Sequence, residues 1–142
     1  MRILLGLVIA LAQPAPGVQS QNLRSVTDGV YTPAQASRGE LLVVETVGCV
    51  NCHGGTLRGG TGDTPPLVGP EFIGHWQDFT LSDLGSKISK MPPTRSEPMK
   101  PQDYVDIMTF LLQINGYPPG ENELVPDLEV LRQVKIVPPK TP

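Results

Sequence analysis

Five consecutive residues, Cys49-Val50-Asn51-Cys52-His53, carry the densest chemistry in the chain. Two thiols separated by two residues, with an imidazole directly after the second, form the Cys-x-x-Cys-His pattern at which c-type haem is attached. Each thiol can add to one vinyl group on the edge of a rigid macrocycle. The next residue then brings an imidazole under the iron. Cys49 and Cys52 are the only cysteines in the chain, so no thiol is left for a structural bridge.

A haem iron held by His53 needs a sixth ligand, and that ligand sets the chemistry. A thioether favours electron transfer at a raised potential, whereas an open position favours gas binding or peroxide chemistry. The candidates are Met91, Met99, Met108 and His75, with Met1 set aside as part of a leader. Met108 belongs to the apolar face of a helix. Met91 opens an irregular Met91-Pro92-Pro93 segment and is free to point at a cofactor, which ranks it first. Met99, two residues before Pro101, also suits a staple against the following helix and ranks second. His75 suits a solvent-facing position and ranks third.

Other chemistries are weaker. A thioredoxin-type thiol pair needs a helix starting at the first cysteine, and Gly54-Gly55 and Gly59-Gly60 oppose its continuation. A zinc site lacks a fourth ligand at suitable spacing. No close carboxylate pair suggests acid–base catalysis. The glycine-rich loop lacks the Gly-Lys-Ser/Thr ending of a phosphate cradle.

The elements that must position these residues can be read from periodicity and punctuation. Thr32 before Pro33 is an N-cap followed by proline at the first helical position, opening a helix to about Val47. The run Leu41-Leu42-Val43-Val44 also fits a buried strand. Residues 54 to 70 are rich in Gly, Thr and Pro and predict a loop over one face of the cofactor. A second helix is predicted from Asp78 to Lys90, with Lys87 and Lys90 at the negative end of its dipole. The clearest helix runs from Pro101 to Ile114, with Tyr104, Ile107, Met108 and Leu111 on one face and Asn115-Gly116 as its stop. A short helix is predicted over 127–134.

The chain has 142 residues, enough for one domain. Aromatic residues are sparse, while 16 prolines and 15 glycines are present, a composition for short helices, long loops and a core completed by a large apolar cofactor. The net charge of −3 leaves no basic footprint for nucleic acid and no cationic block for anionic lipid. Arg2 and the apolar run Ile3–Ala12 read as an export signal, too short to span a bilayer comfortably. Cleavage fits after Ala12 or, preferably, after Ser20; an uncleaved anchor is the alternative.

Between residues 28 and 136 the chain resembles class I c-type cytochromes, and is similar to the small cytochromes c associated with quinoprotein alcohol dehydrogenases. The likeness rests on Asp28-Gly29-Val30-Tyr31-Thr32, Gln35-Ala36 with Arg38-Gly39, the haem pentapeptide with Gly54, and Pro65-Pro66-Leu67-Val68-Gly69. It continues through Phe72, Trp76, Met91-Pro92, Tyr104 with Asp106-Ile107, and Asn115-Gly116-Tyr117-Pro118. The resemblance implies an all-α cytochrome c fold of three to five short helices around one covalent haem. It implies thioethers at Cys49 and Cys52, axial bonds from His53 and Met91, and a hydrogen bond from the His53 ring to the Pro65 carbonyl. Leu67 would pack on the haem face, and Trp76 would sit near a propionate. Gly39 would let the first helix approach the last near Phe110. Two departures stand out: Val43 replaces a frequent aromatic residue, and the segment Arg95–Met99 lacks the usual proline-glycine turn, which keeps Met99 in play.

These readings predict a signal peptide over 1–20, a flexible segment over 21–31, a cytochrome domain over 32–136 and a tail over 137–142. The expected function is a periplasmic one-electron carrier rather than an enzyme. Its expected partners are a quinoprotein-type dehydrogenase as donor and an oxidase or another cytochrome as acceptor, with no stable membrane span after signal removal. The alternatives are a haem-based sensor with an open sixth site and a thiol–disulfide oxidoreductase without haem.

Overall fold

A computed structural model describes residues 24–140, so the expected signal peptide lies outside the described residues. The chain is mostly helical. Its α-helices are α1 (Pro33–Leu41), α2 (Val50–His53), α3 (Pro70–Trp76), α4 (Leu81–Ile88), α5 (Pro101–Ile114) and α6 (Leu128–Gln133). Six described helices exceed the expected three to five. The additions are α2, the turn of the Cys49–His53 pentapeptide itself, and α3, which follows the predicted loop without a break.

The Thr32 side chain accepts from the Gln35 amide and Pro33 takes the first turn, as the sequence predicts for α1. Past Leu41 the helix widens into a π turn over Leu42–Thr46, in which the Val47 amide donates to the Leu42 carbonyl at 2.7 Å. The strand alternative for this run is not adopted. The π turn leads to a bond from the Cys49 amide to the Val43 carbonyl at 2.8 Å, which aims the chain into α2.

Helix α1 packs along α5 more extensively than any other pair of elements. Gly39 makes the approach possible: a Cβ there would run into the Asp106 carbonyl and come within 2.9 Å of the Phe110 Cβ. The expected meeting of Gly39 and Phe110 is thus present. Beside it, the Arg38 Nε donates to Asp106 at 2.9 Å. Gln35 and Gln102 donate to the same carboxylate at 3.1 and 2.7 Å.

Helix α5 has the predicted bounds. Its neighbour α4 starts three residues later than predicted, because Thr80 and Asp83 form a capping box and Asp78 lies outside the helix at φ 71°. Helix α6 begins after Asp127, whose carboxylate accepts from the Glu129 and Val130 amides.

The predicted loose segment needs correction for residues 24–31. Arg24–Ser25 (β1) pairs in parallel with Val134–Lys135 (β2). Val26 and Tyr31 are fully buried, and Val30 nearly so. The Tyr31 hydroxyl donates to the Tyr117 carbonyl at 2.8 Å. Burying side chains of this size contributes about 1.5–3 kcal/mol each, which outweighs the polar character that suggested a loose segment. The domain therefore begins before residue 32. It closes through Ile136, whose amide donates to the Phe79 carbonyl at 2.8 Å.

Candidate functional site

Helix α2 is a single turn carrying Cys49 at its N-cap and His53 at its last position. The Gly54 carbonyl accepts from the Leu57 amide, and the Leu57 carbonyl accepts from Leu67, both at 2.8 Å. These bonds fold residues 54–67 back over α2. The fold-back is tight at Gly60, where any Cβ would strike the Cys52 carbonyl.

The return places the Pro65 carbonyl 2.7 Å from the His53 Nδ1. A carbonyl can only accept, so Nδ1 carries a proton, and in the neutral ring Nε2 is the nitrogen with the lone pair. Such a bond fixes the ring and makes it a better donor to a metal. This is the hydrogen bond that the family resemblance implies.

His53 opens onto a cavity of about 590 Å³, within the roughly 300–1,000 Å³ usual for organic ligand sites. Cys49 and Cys52 lie on one wall, and both are free thiols. The apolar lining comes from Val43, Leu67, Phe72, Leu84, Ile107 and Leu111. Asp63, Glu71, His75 and Lys87 supply the charged or titratable groups on the wall. Val43, standing where the resembled family often has an aromatic residue, is fully buried in this wall.

The sixth-ligand candidates separate. Met91 lines the cavity and Met99 does not. Met99 packs against the core, and its amide donates to the Tyr104 hydroxyl at 2.9 Å. Met108 is fully buried beside Gly85 of α4, as its place on the α5 face predicts. His75 also lines the cavity. Its ring stacks on Phe79 at 6.3 Å and meets Trp76 edge-on at 5.0 Å. Trp76 and Leu67 both face the cavity.

Burial raises the Cys49 thiol above its ordinary range; the backbone hydrogen bond and Arg95 offset this only in part. Cys49 is accordingly held as S–H at neutral pH.

Sequence reasoning missed one residue behind the site. Asn115 is read as a helix stop, yet its side chain is buried. Its Nδ2 donates to the Leu67 carbonyl at 3.0 Å and to the Leu111 carbonyl at 2.8 Å. Its Oδ1 accepts from the Gly69 amide at 2.9 Å. The Asn-Gly pair gives no sequence signal for this longer reach.

Among the described residues no three His, Cys, Asp or Glu side chains converge as a metal site. Compared with protein-family models, curated proteins and solved structures, the chain matches none. Among the described residues no helix is long and apolar enough to cross a membrane.

Proposed function

We propose that the protein is an exported, periplasmic monohaem c-type cytochrome that carries single electrons. The observation that carries this reading is the convergence of Cys49, Cys52, His53 and Met91 on one largely apolar cavity, with the His53 Nδ1 already tied to the Pro65 carbonyl. The cavity volume, the free thiols and the available Nε2 all fit a haem, and the all-α chain around them fits the cytochrome c fold.

Bound there, haem would supply a one-electron iron(III)/iron(II) couple. Cys49 and Cys52 would anchor it through thioethers. His53 would offer Nε2 to the iron, with Pro65 holding the ring in that tautomer. Met91 would offer its sulfur to the iron and so exclude small ligands. Val43, Leu67, Ile107 and Leu111 would keep water from the cofactor, and the Trp76 indole would donate toward a propionate.

The family resemblance suggests the partners: a quinoprotein-type dehydrogenase upstream and an oxidase or another cytochrome downstream, each met through a small transient interface. The raised Cys49 thiol weighs against the thiol–disulfide alternative, which needs a depressed cysteine pKa.

The test is an absorption spectrum and intact mass of protein matured in a host competent for haem attachment. A reduced, six-coordinate low-spin spectrum with the added mass of one haem is expected. A colourless protein with the mass of its bare polypeptide overturns the proposal.

A further inference from the structure

We infer that Asn115 is a positioning residue for the His53 imidazole and thereby sets the reduction potential of the site. The inference rests on the haem reading above and goes beyond it. Asn115 ends α5, the most buried helix of the fold. Its side chain spans the Pro65–Gly69 loop: Nδ2 holds the Leu67 carbonyl, and Oδ1 holds the Gly69 amide. A third bond, from Nδ2 to the Leu111 carbonyl, fixes the amide itself to the helix. The loop thus hangs on α5 through one buried amide group.

Two residues before Leu67, the same loop presents the Pro65 carbonyl to the His53 Nδ1 at 2.7 Å. Pro65 and Pro66 give this stretch no amide hydrogen of their own, so backbone bonds cannot hold the carbonyl from within. The loop is anchored by the Leu67 amide on Leu57 and by Asn115. The position of the Pro65 oxygen is therefore set largely from the end of α5. A strong bond at Nδ1 raises the electron donation of the imidazole, which favours iron(III). Loosening it favours iron(II).

The experiment is potentiometry of the haem-loaded Asn115→Ala protein beside the unmutated one. The equilibrium constant for reduction is expected to rise about tenfold, which is about 59 mV for a one-electron couple. The His53 Nδ1 proton resonance should shift with it. Asn115→Ser keeps a polar atom at the buried position and serves where alanine does not fold; a smaller shift of the same sign is expected. Val105→Ala is the control for lost stability alone, because Val105 is buried in α5 but outside the cavity. A potential unmoved in the Asn115 variants, or moved as much by Val105→Ala, overturns the positioning role while leaving the cytochrome reading intact. Absence of haem from the unmutated protein removes both, and the intact mass distinguishes the two failures.

Discussion

Gly39 of α1 lies directly against the main-chain carbonyl of Asp106 in α5, with no room between them for a single carbon. Because this crossing joins the two most extensively packed helices, a methyl group there must force them apart. Gly39→Ala is expected to destabilise the fold by about 1–3 kcal/mol or more. Urea unfolding at neutral pH measures it, and an unchanged midpoint would show that the crossing has slack.

Asp106 should make the protein sensitive to acid. Burial raises its pKa, but hydrogen bonds from Arg38, Gln102 and Gln35 outweigh that and hold the carboxyl below its ordinary value of 3.8. A depressed carboxylate stabilises the fold above its unfolded pKa. That contribution fades as pH falls through 3.8 toward the lower folded value. Asp106→Asn should cost about 1.5–3 kcal/mol near pH 7. It should also flatten the acid limb of a stability-versus-pH curve; an acid limb equally steep in the variant would place the sensitivity elsewhere.

Tyr31 should act at the other end of the pH scale. Burial pushes its phenol from 10.0 up to about 12, so the folded state keeps a proton that the unfolded state releases. Its contribution is complete below pH 10 and is lost as pH rises toward about 12. Tyr31→Phe should make the alkaline limb shallower. At neutral pH it should cost about 1–3 kcal/mol, since the Tyr117 carbonyl loses its buried donor. Thermal unfolding between pH 9 and 12, roughly the window these values define, reads both effects.

The two methionines give the sharpest test of the site. Met91 lines the cavity and Met99 packs on the core beside Tyr104. Under the cytochrome proposal, Met91→Ala in haem-loaded protein should abolish the thioether-to-iron charge-transfer band, and Met99→Ala should leave it in place. Survival of the band in Met91→Ala would reassign the ligand.

The sequence made α5 legible to the residue because an apolar stripe, an opening proline and an Asn-Gly stop all agree. Helix α4 is legible in kind but not in extent, since the Thr80–Asp83 box competes with the acidic residue at 78 for the start. Helix α3 went unread. Seven residues with Gly74 in their midst give little periodicity, although Gly69-Pro70 and the Phe72–Trp76 spacing were usable signals. The β1–β2 pair is two residues per strand and joins opposite ends of the sequence, where no local pattern reaches. At the site, the pentapeptide and the His53–Pro65 bond are legible because they depend on neighbours and on a recognisable Pro-x-Leu-x-Gly loop. Asn115 is not, because what matters is a buried amide reaching across to that loop.

The parallel ladder between Arg24–Ser25 and Val134–Lys135 has a consequence for the order of assembly. A chain delivered amino end first presents β1 long before its mate exists, and nearly the entire domain must emerge in between. The seam can be zipped only after Val134 and Lys135 have emerged. A chain cut short before Val134 would leave that early strand waiting for a partner that never arrives.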